Sequence, residues 1–349
     1  MFELKNRRYT GAKTKLLPQI EKCVNLALKD LNFGGNLSFF DAFGGTGVVG
    51  EYFIKKDCFT KLIINDFLYS NFVIYRAFFS RYDINKLENK VKILNEIPIY
   101  ENYYSDNFGN KFFSYDDAKK IGTIRENLTN LLQKKEISKT EFFILLSSLI
   151  YSIDKIANTV GHYDAYRKNI KLENKFKFEL IKPLNLGKKI EIYNLDTNIL
   201  VRNLVKNSEK IDISFIDPPY NSRQYSRFYH LLDNLALDEK PELFGIAKKP
   251  KSHNSSLYCN KEAKKIFEDL IFNLAKISKI IIVTYNNTNS ANPRSNNRIK
   301  FDEIVQILDN IGDIQIHSFD FKPFSSGKTD LNRAFKDHKE NIFICKVGK

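Results

Sequence analysis

Three aspartates, Asp41, Asp66 and Asp217, each close a short apolar run, and the clearest of these is IDISFI-Asp217 (211–217). The run before Asp217 is rich in apolar and β-branched residues and reads as a buried strand. It passes directly into Pro218, Pro219 and Tyr220. Neither proline can donate to a sheet ladder, and each stiffens the backbone around it. Asp217-Pro218-Pro219-Tyr220 is therefore a rigid loop at the carboxyl end of a strand, where open α/β sheets bind ligands. A carboxylate, backbone carbonyls and an aromatic face held together there suit a flat, amino-bearing partner such as a nucleobase.

The second constellation is DAFGGTGVVG (41–50), a strand running into a glycine loop and then a helix. Glycines such as Gly45 and Gly47 let the backbone pass close to a ligand, and the same spacing also serves a tight structural turn. Asp41, just before the glycines, tilts the reading toward a ligand, because a carboxylate there holds a cationic amino group. Asp66 ends the next strand about twenty residues on, where nucleoside-binding folds place an acid for ribose hydroxyls. The alternative for a lone acid at a strand end is a helix cap. Fragments of a phosphate loop at Gly11–Thr14 and Gly327–Thr329 lack the preceding glycine, so an NTPase is not expected.

The elements that must position these residues alternate. LSFFDAF (37–43), KLIIND (61–66), KIEIYNLD (189–196), IDISFID (211–217), KIIIVTY (279–285), DIQIHSFDF (313–321) and NIFICKV (341–347) read as strands. Helices are expected at about 13–31, 67–79 and 301–312, and over FFILLSSLIYSI (142–153) behind a Ser138-x-x-Glu141 capping box. The stretch 100–117 reads as an aromatic, loop-like segment. The fold class expected is α/β: a mostly parallel sheet with a terminal antiparallel hairpin, plus an inserted mainly helical domain. Residues 1–85 and 186–349 form the α/β domain, and 86–185 the insertion.

At 349 residues, with 43% hydrophobic and 28% charged, the chain is long enough and apolar enough to bury a core. Its longest apolar run is about half a membrane span, and MFELKNRRYT lacks the apolar region of a secretory signal. Four scattered cysteines suggest neither a zinc site nor a disulfide framework, so no metal is expected and a cytoplasmic location fits. A net charge of +14 favours a polyanionic partner, although a Lys-rich composition has the same effect.

In this order the motifs resemble those of S-adenosyl-L-methionine-dependent amino-methyltransferases acting on nucleic-acid bases, and more narrowly the Dam-like (D12, alpha-arrangement) DNA adenine-N6 methyltransferases. RYTGAKTKLLP (8–18) is similar to that family's amino-terminal cofactor motif, DAFGGTG (41–47) to its D-x-F-x-G-x-G, IIND (63–66) to its N-D, and DPPY (217–220) to its catalytic motif. The resemblance covers roughly 1–85 and 186–349 and thins to GHYDAY (161–166) in the insertion. It implies a Rossmann-like methyltransferase sheet and makes 86–185 the target-recognition domain. It further implies that Asp217 and the Pro218 carbonyl accept the target amine, Pro219 stiffens the loop and Tyr220 stacks on a flipped base. Asp41 and Phe43 would line the methionine end of the cofactor, Asp66 its ribose and Asp196 its adenine, with Tyr9 and Lys13 nearby. Ala42 departs from the family's usual leucine or proline.

Other segments fit as DNA contacts. NSRQYSRFYH (221–230) brings Arg223, Tyr225 and Arg227 directly after the catalytic loop. His162, Tyr166 and Arg167 in the insertion could reach bases or phosphates, the alternative being an ordinary helix-terminal turn, and the basic stretches 248–265 and 322–339 could meet phosphates, the alternative being solvated loops. The expected partner is double-stranded DNA, with a cognate restriction endonuclease alongside, no membrane, and a monomeric enzyme. The competing expectations are an RNA or rRNA base amino-methyltransferase and a cytosine-N4 DNA methyltransferase. No cysteine follows a proline as C5-cytosine chemistry would require.

Overall fold

The computed structural model describes residues 2–29, 35–251, 254–286, 297–320 and 339–348. They fall into two compact units, one drawn from 11–67, 188–224 and 255–349, the other from 1–10, 68–187 and 225–254.

The first unit is built on a seven-stranded sheet. Its strands are β1 (Leu37–Asp41), β2 (Phe59–Asn65), β3 (Lys189–Tyr193), β4 (Ile211–Ile216), β5 (Ser278–Asn286), β6 (Gly312–Asp320) and β7 (Lys339–Val347), in the order β3-β2-β1-β4-β5-β7-β6. Pairing is parallel from β3 through β5, and β7 runs antiparallel between β5 and β6. The expected parallel sheet with a terminal antiparallel hairpin is borne out. β1 is buried along its whole length, as a central parallel strand covered on both faces must be. Alternation sends Phe39 to one face, where its ring lies 4.5 Å from Phe53 and 5.7 Å from Phe59. Phe40 joins the other core, with Phe267, Leu270, Ile281, Val283 and Phe343. The amphipathic helices Ala263–Ala275 and Phe301–Asp309 close that face with their apolar stripes.

The order of the strands decides where a ligand site can form. From β1 the chain steps outward through β2 to β3, then returns to add β4 on the opposite side. The loops after β1 and β4 consequently leave a topological switch point in opposite directions, at the carboxyl ends where open α/β sheets bind ligands. The two loops remain tied at their roots, where Ala42 N donates to Phe215 O at 3.0 Å.

The second unit is mainly helical. Its long helices are Tyr69–Phe78, Asn85–Glu96, Tyr115–Gln133 and Lys139–Ile156. The last begins at the expected capping box: Glu141 N donates to Ser138 Oγ, and Ser138 N to Glu141. The loop expected over 100–117 is corrected, because Tyr103–Phe108 is a helix started by Asn102, whose side chain accepts from Tyr104 N and Ser105 N. Arg7 is buried against Asn71 and Asp154, and Tyr163 donates to Asp154 at 2.6 Å. Among the described residues, no helix is long and apolar enough to cross a membrane.

Candidate active site

The glycine loop turns where its residues demand it. Gly45 (φ 54°) and Gly47 (φ 82°) are left-handed, a region that Cβ-bearing residues enter at a cost of about 1–2 kcal/mol. Gly47 caps the helix Val48–Ile54. Asp41 is 1% exposed, and its Oδ2 accepts from Gly50 N at 3.0 Å, while its Oδ1 has no hydrogen-bond partner. Burial pushes the Asp41 carboxyl up to about 8; the Gly50 N–H opposes the rise, and the charges of Asp217 and Asp66 add to it. A buried carboxylate with an unpartnered oxygen beside a left-handed glycine turn fits the ammonium end of an amino-acid-bearing cofactor. Asp66 Oδ2 accepts from Gly45 N at 2.8 Å, so it also shapes the glycine turn.

The loop after β4 gathers a dense polar cluster. Asp217 Oδ2 lies 2.8 Å from Lys13 Nζ, and its Oδ1 accepts from Thr284 Oγ1 at 2.9 Å and from the Tyr220 hydroxyl. Lys13 Nζ donates to the Tyr220 hydroxyl at 2.6 Å and lies 3.4 Å from Glu340 Oε1. Burial alone would lower the Lys13 pKa; Asp217 and Glu340 outweigh it and hold the ammonium above its ordinary value. Tyr220 is pushed well up by burial and by the same two carboxylates. Its ring packs edge-on to Tyr285 with centroids 4.8 Å apart. Its backbone carbonyl accepts from Arg298 N at 2.9 Å, which fixes the loop. Pro218 is buried beneath it.

The remaining expected residues are placed as follows. Phe43 lies edge-on to Tyr258 at 5.1 Å. Asp196 caps the helix Thr197–Lys206, accepting from Asn198 N and Ile199 N. Tyr9 belongs to the helical unit and stacks on Tyr229 at 4.6 Å and Tyr225 at 5.6 Å. His162 stacks on Phe228 at 4.6 Å, Tyr166 meets Phe112 edge-on, and the Arg167 backbone is held by Asn158. The Arg223 side chain is exposed, and that of Arg227 half-buried. In the basic stretch 248–265, Lys249 pairs with Asp164, and residues 252–253 lie outside the described residues. Of the stretch 322–339, all but Lys339 lies outside them. Groups of acids, histidines and cysteines able to hold a metal ion are absent among the described residues.

Three residues that the sequence did not single out complete the site. Asn65 is fully buried and bonds Ala42 O, Leu195 O and Thr197 Oγ1 through Nδ2 and Leu195 N through Oδ1, lacing the ends of β1 and β2 to the turn after β3. Its signal was the asparagine of IIND. Thr284 had a weaker one, a polar residue at the carboxyl end of an apolar strand. Glu340 had none, because it sits in the charged run DHKEN.

The family model described as D12 class N6 adenine-specific DNA methyltransferase matches residues 9–284. The chain belongs to this family. Its seven-stranded sheet is the family's Rossmann-like methyltransferase sheet. The chain is 30% identical to modification methylase LlaI of Lactococcus lactis subsp. lactis over 97% of its own length and 55% of that protein's. It is 33% identical to modification methylase StsI of Streptococcus sanguinis over 80% of this chain and 44% of that one. The chain thus spans about half the length of these two relatives. Type II methyltransferase M.NlaIII of Neisseria lactamica is 29% identical, with 95% of this chain and 96% of that protein covered.

Proposed function

We propose that this D12-class chain methylates the exocyclic N6 of an adenine flipped out of double-stranded DNA, as the modification activity of a restriction–modification system. The observation that carries the proposal is Asp217 at the carboxyl end of β4, buttressed by Lys13, Thr284 and Tyr220 across the switch point from the half-satisfied Asp41. S-adenosylmethionine, when bound, supplies an electrophilic methyl group on a sulfonium. Asp41, Phe43, Gly45, Gly47, Asp66 and Asp196 would hold it, with Lys13 nearby.

An exocyclic amine conjugated to a purine is a poor nucleophile because its lone pair is delocalised into the ring. Asp217 and the Pro218 carbonyl accept its two N–H bonds, draw the nitrogen toward a tetrahedral form and aim its lone pair. Positioning and electrostatics thus carry the catalysis, and no covalent enzyme intermediate is needed. The two prolines keep both acceptors fixed, so no reorganisation is spent at the moment of reaction. Tyr220 stacks on the extruded base, which must leave the helix because its amine is inaccessible within the stack. Residues 86–185 recognise the target, and Arg223, Tyr225, Arg227, His162, Tyr166 and Arg167 contact DNA. A monomer acting in the cytoplasm beside a cognate endonuclease completes the proposal.

Methyl-labelled S-adenosylmethionine incubated with the protein and unmethylated duplex DNA tests this. Label is expected in DNA with the wild type and absent with Asp217→Ala. Label in structured RNA alone would overturn it.

A further inference from the structure

Around Asp217 the hydrogen-bond donors outnumber the places left for a substrate. Lys13 Nζ lies on its Oδ2, and both Thr284 Oγ1 and the Tyr220 hydroxyl donate to its Oδ1. These three donors take most of the roughly four acceptor directions of a carboxylate, so an amine docking against Asp217 crowds Lys13 and Tyr220 and can take the place of either. A displaced donor must find another acceptor, since a buried ammonium left unpaired is strongly unfavourable. Glu340 is the acceptor at hand: its Oε1 lies 3.4 Å from Lys13 Nζ and 3.0 Å from the Tyr220 hydroxyl. That hydroxyl has one hydrogen and faces two carboxylates. Glu340 is 1% exposed, so water hardly competes for it.

We propose that Glu340 is a positioning residue of this site, receiving the Lys13 ammonium and the Tyr220 hydroxyl when the target amine takes their places on Asp217. The inference rests on Asp217 being the amine's acceptor, as proposed above. Nothing is transferred covalently: two hydrogen bonds change acceptor, and the ammonium stays paired throughout. Among the described residues, the ionisable groups facing Glu340 are Lys13 from the turn Lys13–Leu16 and Asp217 and Tyr220 from the loop after β4. Asn286 on β5 and Phe319 on β6, its partners across the sheet, bring no charge. Burial raises the Glu340 carboxyl above its ordinary value, Lys13 draws it back, and Asp217 adds to the rise. Only the ionised carboxylate receives the ammonium well, so the rate should climb with pH as Glu340 ionises.

Glu340→Gln keeps the shape and removes the charge. Its kcat for DNA methylation at pH 8 is expected to fall at least about tenfold, the scale of exchanging a charged for a neutral acceptor. S-adenosylmethionine affinity, read by calorimetry, should hold, the acid limb of the kcat profile should weaken, and Glu340→Asp should recover most of the rate. A Gln variant with wild-type kcat and acid limb overturns the proposal, as do equal losses in Gln and Asp variants. If circular dichroism shows the Gln variant unfolded, the Asp variant and the wild-type profile decide, and a wild type without an acid limb overturns it. Wild-type protein that methylates no DNA defeats the underlying function and this proposal together, whereas an active wild type with an indifferent Glu340 defeats this proposal alone.

Discussion

At Asp41 a carboxyl group is held 1% exposed with one oxygen unpartnered, and its pKa rises from the ordinary 3.8 to about 8. The folded protein keeps that proton where the unfolded chain has released it. The contribution to stability is full below 3.8 and lost as pH rises through 8. In the ligand-free protein, melting temperature should therefore decline across this window more steeply in the wild type than in Asp41→Asn; equal slopes would contradict the assignment. The same variant should bind S-adenosylmethionine about 10- to 100-fold more weakly by calorimetry, the loss of one charge-assisted hydrogen bond. These acids were legible in the sequence because each ends an apolar strand beside a glycine or proline signal. Glu340 was not, since only pairing of β7 beside β5 brings it to Lys13, and no local pattern records a contact between residues so far apart in the chain.

Among the elements, the parallel sheet was readable because buried strands are continuous apolar runs, and its carboxyl ends could be named before any pairing was known. The helix Tyr103–Phe108 was hidden in aromatic residues that favour no helix, and Asn102 starts it by capping two backbone amides. Such local capping is decided by hydrogen-bond geometry that composition does not reveal. The loop after β1 depends on two further features. Gly47→Ala would force a Cβ into the left-handed region, and a loss of about 1–2 kcal/mol in denaturant unfolding is expected, with weaker cofactor binding. Asn65→Ala strips four bonds that lace the strand ends together, and should cost on the order of 2–3 kcal/mol by the same measurement.

Across the whole molecule, a net charge of +14 on a DNA methyltransferase family member makes phosphate contacts the expected source of affinity. DNA binding should weaken steeply with salt, falling roughly 10³- to 10⁵-fold between about 50 and 200 mM if six to ten phosphates are engaged. A flat salt dependence, read by fluorescence anisotropy, would contradict that. Charge in the sequence pointed toward a polyanion; which bases a target would present was not legible, because base recognition depends on surface side chains that share no periodicity. The most direct test of the central claim is mass spectrometry of nucleosides from duplex DNA incubated with the protein and S-adenosylmethionine. N6-methyladenine formed by the wild type and lost in Asp217→Ala is the expected result. N4-methylcytosine, or methyladenine that persists without Asp217, would contradict it.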